Sequence, residues 1–367
     1  MWMKLSLCVS LCLISVGCGQ PSAPELIGDD SSNRFSESLF LEFYSHSAAV
    51  RSQLLITQTK NLQEAVTAFL FDPNLDNLDA AQRVWLSAHQ SFLEANFYVS
   101  ATKPGMPSAA SGSAGQLPHM IDAWPIQEGF LDSLQLYPTS GIINDLTLSI
   151  DEQTLRNQHG ITAAEEVSLG FHAIEFLLWA RPITDFPVQS ELTADQQNDG
   201  LRLHQLSNNR RRETLRLIVK LLHDDIVGQN QQPAAEAPQP ATATTHNLRG
   251  AIQACTEALQ SMQRELLLLT PGDEASGHSR FSNSSAQDLL TYMQTLVFVY
   301  SDPGRLHELF ESLDPELASQ FATLAKATLQ RLTELDAKLD PSTLLELNRS
   351  LSIMIDHSQE LESMLGS

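Results

Sequence analysis

Cysteine is scarce in this chain: Cys8, Cys12, Cys18 and Cys255 are all it has. The first two lie in an amino-terminal apolar run of the kind that is cut away. Too few then remain for a disulfide framework or a thiolate metal cluster. Stability must come from the core, and any metal must be held by nitrogen and oxygen. Positive charge is also in short supply, with 22 Lys and Arg against 44 Asp and Glu and a net charge of −22. Such a surface repels phosphates, which excludes nucleic acid as a partner, and it concentrates cations. Alternating strand patterns are hard to find, so the fold class expected is all-α. No apolar run is long enough for a stable membrane span. No phosphate-cradling glycine loop, nucleophile elbow or nucleotide fold is visible, and the two-histidine zinc patterns fail because position 176 is Phe.

What is there begins with a leader. Lys4 supplies a minimal positive charge, Leu5 to Val16 is apolar, and Ser15-Val16-Gly17-Cys18 looks like a lipoprotein cleavage box with Cys18 as the acylated residue. Gly19 follows in place of the Asp that favours inner-membrane retention, so the expected location is the bacterial cell envelope, anchored by lipid, periplasm-facing, at the outer membrane. Residues 19–32 read as a flexible tether.

Helical periodicity then dominates. Expected helices cover 34–71, 79–99, 193–227, 247–269, 306–339 and 342–365, with breaks at Asp72-Pro73-Asn74 and Asp340-Pro341. The stretch 229–246 is rich in Pro, Ala, Gln and Thr and reads as a linker or insertion. It divides an amino-terminal helical bundle, 33–228, from a carboxy-terminal one, 247–367. Arg210, Arg211, Arg212 and Arg216 sit on one helix and are expected to pair with nearby carboxylates.

The most informative stretch is 162–181. Thr162 and Glu165 have capping-box spacing, the apolar residues cover nearly every azimuth, and Pro182 ends the segment, which predicts one buried helix. Inside it lie His172 and Glu175, neighbours on one face. An isolated ionised carboxylate there would cost several kcal/mol, so Glu175 must be protonated, paired, hydrogen-bonded or bound to a cation. The two side chains could simply bond each other or a neighbouring helix. Metal chemistry would need further ligands from elsewhere in the chain.

Gly170-Phe171-His172-Ala173-Ile174-Glu175-Phe176-Leu177-Leu178-Trp179 resembles the Gly-x-His-x-x-Glu motif of the imelysin-like family, which spans imelysin peptidases, iron-regulated lipoproteins and the imelysin domains of iron-uptake proteins. Trp85 with Glu94, the element Ile121 to Pro125, Ser140 to Asp145, and Arg211-Arg212 with Asp224-Asp225 follow in the family's order. In the segment 281–288, Asn283, Ser284 and Ala286 replace the acid, Asn and His that relatives carry, and no arginine follows Glu94 in 95–98. The resemblance implies two packed helical bundles with approximate internal pseudo-symmetry and a motif facing a cleft. It implies a metal site of His172 and Glu175 with Glu94 or Asp122 as a further oxygen donor, suited to Fe or Zn, and a role in iron acquisition with iron-uptake partner proteins. Its alternatives are a metallopeptidase, in which Glu175 would be the catalytic carboxylate, and a non-catalytic interaction module. Of the other histidines, His89 and His119 lie near the family's elements. His46, His159, His204, His223, His246, His278, His307 and His357 read as solvated imidazoles on polar faces or loops.

Overall fold

Two long helices joined by a three-residue break open the fold, as the Asp72-Pro73-Asn74 sequence demands. The computed structural model describes residues 35–102, 120–231, 240–271, 273, 276–301, 304–335 and 340–365. The expected leader, the acylated Cys18, the tether and His119 lie outside them. Helix α1 (Glu37–Phe71) buries Phe40, Tyr44, Leu55, Leu62, Val66 and Phe69, and it packs on α2 (Leu75–Thr102) and on α7 (Ser207–Gln231). Between α2 and α7 the chain forms the short helices α3 (Glu128–Leu131), α4 (Glu152–Gln158), α5 (Phe171–Glu175) and α6 (Ala194–Asn198). Thereafter come α8 (Pro240–Leu268), α9 (Ser285–Tyr300), α10 (Leu306–Leu313), α11 (Pro315–Thr333) and α12 (Pro341–Met364). The protein is all-α. Helices α8, α9, α11 and α12 pack among themselves, and α2 touches both sets because it lies against α1, α5, α8 and α9. One buried apolar cluster runs through all of them.

Some expected helix boundaries change. The helix expected over 306–339 is two helices, because Asp314-Pro315 acts as Asp340-Pro341 does. In each case the Asp side chain accepts backbone N–H groups of the first turn and Pro fills a position that needs no N–H. The helix expected over 193–227 is likewise interrupted: α6 ends at Asn198, a short 3-10 turn spans Leu203–Gln205, and α7 begins at Ser207. At the low-complexity stretch, α7 continues to Gln231 and α8 begins at Pro240.

The largest departure is 162–181. Thr162 caps nothing; its backbone N–H is held by Glu166 at 2.6 Å, and the chain stays irregular until Gly170. Helix α5 then runs only five residues before passing into a π-helical segment, Phe176–Ala180. The wider turn disturbs the helical hydrogen-bond ladder, and Gln82 Nε2 on α2 donates to the Leu178 carbonyl at 2.8 Å. Burial of the segment is as expected: Phe171 to Leu178 are all buried.

The arginines of α7 divide. Arg211 forms a two-pronged pair with Asp132, Nε to Oδ2 at 2.6 Å and Nη2 to Oδ1 at 3.1 Å, and Arg216 pairs with Glu213. Arg210 and Arg212 instead donate to backbone carbonyls, Arg210 to Ile142, Ile143, Asp145 and Leu148. These bonds fix the irregular 132–148 segment on α7.

Candidate metal centre

Helix α2 supplies His89, placed one turn after Trp85 so that the two rings stack at 4.9 Å. The Trp85 indole N–H donates to the Phe171 carbonyl at 2.9 Å, tying the start of α5 to α2. Gly170, just before α5, has φ +88°, and a Cβ there would stand 2.5 Å from the Ile121 carbonyl oxygen. Only glycine permits that approach, and it brings His172 beside Asp122. A second glycine with positive φ, Gly277, precedes His278 in the segment between α8 and α9. The His278 ring lies 4.1 Å from the His172 ring, edge to face.

These four residues form one group: a ligand atom from each of His89, Asp122, His172 and His278 lies within 4.8 Å of the others. The three Nε2 atoms converge on one carboxylate. His89 and His172 stand 3.2 Å from Asp122 Oδ1, and His278 stands 3.8 Å from Oδ2. Each opposite ring nitrogen faces another carboxylate: His89 Nδ1 meets Asp288 at 3.4 Å, His172 Nδ1 meets Glu175 at 2.7 Å, and His278 Nδ1 meets Glu265 at 3.6 Å. Two of those outer carboxylates, Glu175 and Asp288, are themselves held. Glu175 Oε1 accepts from the Ser282 backbone N–H and hydroxyl at 2.8 and 2.7 Å, and Asp288 Oδ2 accepts from Ser279 Oγ at 2.5 Å.

Electrostatics follow from the dense packing of charge. Burial would lower the His172 pKa, but the carboxylates of Asp122 and Glu175 beside the ring override it and raise it to about 9. His89 is raised well above the usual imidazole range, its burial outweighed by Asp288 and Asp122. Burial pushes Asp122 up, yet His278, His172 and His89 hold it well below the carboxylate range. His278 falls to about 3, from burial and from the charge of His172, and burial beside Asp288 and Asp122 lifts Glu265 to about 8. Protons thus hold together what a cation could hold instead, and a metal would displace them.

The donor set fits a metal. His172 Nε2 is buried, with the Asp122 carboxylate 3.2 Å away but no well-aligned hydrogen bond to it, so once its proton is displaced its lone pair is open to a ligand. Imidazoles whose far nitrogen donates to a carboxylate are the usual arrangement around bound transition metals.

Of the residues expected at the site, His172 and Asp122 are brought together and two are not. Glu175 backs His172 from outside the group, because a carboxylate one turn further along the helix reaches the near ring nitrogen, Nδ1, and both its oxygens are engaged. Glu94 pairs with Arg51 at 2.5 Å. It lies five residues beyond His89, about 140° round the helix, and so faces another way. His89 joins the group. His278, expected in solvent, is buried and belongs to it. The polar composition of 272–288 concealed it, and the only local sign was the glycine immediately before it. Ser282, from the altered 281–288 segment, bonds Glu175 directly.

The family model for imelysin, named Peptidase_M75, matches residues 48–357. Among solved structures, the protein is similar to an iron-regulated protein A precursor from Parabacteroides distasonis, with 12% identity, a TM-score of 0.59, and coverage of 91% of this chain and 97% of that one. It is also similar to an imelysin-like protein from Psychrobacter arcticum, with 17% identity, a TM-score of 0.49, and coverage of 88% and 94%. No curated protein matches. With its Gly-x-His-x-x-Glu motif set in an all-helical fold and the family model matching along most of its length, the chain belongs to the imelysin family.

Proposed function

We propose that the protein binds a transition-metal ion through His89, His172, His278 and Asp122 and serves iron acquisition at the bacterial cell envelope. One observation carries the metal reading: three imidazole Nε2 atoms from three separate segments point at one carboxylate, with a carboxylate behind each ring. A set of three nitrogens and an oxygen suits iron or zinc. The name of the P. distasonis relative, an iron-regulated protein, supports iron as the cargo. The net charge of −22 favours the approach of cations. Cys18 is the proposed lipid anchor, with the outer membrane as its site. Among the described residues no helix is long and apolar enough to cross a membrane.

A hydrolytic role has less support, since Glu175, the carboxylate it would use, is occupied by His172 and Ser282. The test is metal titration by calorimetry, with elemental analysis of the protein as isolated. Wild type binds one ion per chain, and His172→Ala and His278→Ala each lose at least a hundredfold in affinity while remaining helical by circular dichroism. Equal binding by His278→Ala and wild type would remove His278 from the site, and no binding by wild type would end the metal reading.

A further inference from the structure

Two of the four ligating residues also reach open space. Asp122 and His278 line a cavity of ≈ 400 Å³ whose wall carries Trp124, Arg264, Glu265 and Tyr292. A bare ion needs no such volume, since even a water molecule takes only roughly 30 Å³. The space is that of a small organic molecule. Its polar fittings are uneven. The Trp124 ring stands edge-on to His278 with centroids 5.7 Å apart, and its buried indole N–H has no hydrogen-bond partner among the described residues. Arg264, on α8, is exposed and donates to Ser261 Oγ at 2.9 Å, and among the described residues no carboxylate lies within ion-pair distance of it. Glu265, the acidic group on the same wall, is turned to the Nδ1 side of His278 at 3.6 Å.

We propose that this cavity takes a small polycarboxylate chelator, one carboxylate seated on Arg264 and other oxygens turned to the metal beside Asp122 and His278, so that the cargo is held as a chelate. The proposal rests on the metal reading above. Four protein donors leave room for exogenous oxygens on a six-coordinate ion. A guanidinium fork is the side chain best matched to a free carboxylate.

Cobalt(II) serves as the spectroscopic metal and citrate as the chelator, with acetate as a comparison that lacks the additional carboxylates. Citrate should shift the visible bands of the cobalt-loaded full-length protein while cobalt stays with the protein on gel filtration, and acetate at equal concentration should not. Arg264→Gln should weaken citrate at least tenfold and leave cobalt affinity within twofold of wild type. Unmoved bands, cobalt simply stripped away, or a variant that titrates citrate like wild type would each overturn the chelate site while leaving the metal centre standing. If wild type fails to bind cobalt alone, the metal reading fails instead, and preformed cobalt–citrate decides the rest. Binding of that complex, weakened by Arg264→Gln, sustains the cavity proposal, and no binding overturns it.

Discussion

Gly170 decides the site by having no side chain. Its φ of +88° and its contact with the Ile121 backbone set the distance between His172 and Asp122. Gly170→Ala should therefore cost at least about 1–3 kcal/mol, from backbone strain and the clash together. Thermal denaturation should show the lower midpoint, and metal titration should show weaker binding than in an equally destabilised core variant elsewhere. Glu175 works through His172: with Nδ1–H donating to Oε2 at 2.7 Å, the imidazole presents Nε2 inward. Glu175→Gln keeps the shape, weakens that acceptor and leaves Ser282 facing an amide. A loss of roughly 10–100-fold in metal affinity is expected, measured by competition with a chromophoric chelator. An unchanged affinity would mean that Glu175 does no more than pin α5 to the 276–284 segment.

At the scale of elements, the site depends on short irregular pieces braced by ion pairs. Asp132 is fully buried, and its carboxylate receives Arg211, Arg181 and Asn144, joining the 132–148 segment to α7 and to the end of the π-helical segment. Burial raises its pKa, but Arg211 by bond and charge, with Arg181, holds it below the normal value. The folded pKa is depressed, so the stabilisation is complete above the unfolded value of about 3.9 and disappears as pH falls through the folded value. Asp132→Asn should flatten the acid limb of stability below about pH 4, followed by urea denaturation across pH. At neutral pH it should destabilise by about 3–5 kcal/mol, because Arg211 is left buried without its partner.

For the molecule as a whole, the proposed centre draws on α2, the segment at Asp122, α5 and the segment before α9, so an ion held there would clasp parts of the chain that are far apart in sequence. Binding to the folded state alone stabilises it by about 2.7 kcal/mol at a hundredfold excess over Kd. The thermal midpoint of wild type should rise with metal, and that of His89→Ala should not. Scanning calorimetry with and without a chelator measures both. If the polar cluster served only to join helices, His89→Ala would lower the midpoint, and added metal would leave wild type unmoved.

The all-helical class, the proline-ended helices and the burial of His172 with Glu175 are written locally, because they depend on periodicity and on breaks that a short window of residues contains. Even so, Asp314-Pro315 carried the same signal as Asp340-Pro341 and ended a helix that apolar periodicity alone would continue. Which groups meet was decided only by tertiary structure. Spacing along one helix shows that Glu175 neighbours His172, but it cannot show that Glu175 would sit behind the ring or that Glu94 would turn to Arg51. His278 lies 106 residues beyond His172 in a polar stretch, and nothing local separates it from a solvated imidazole. It reaches the centre because Gly277 turns the chain and Asp288, Ser279 and Ser282 anchor that segment to α2 and α5. These are contacts between distant segments, and only the packing of the helices creates them.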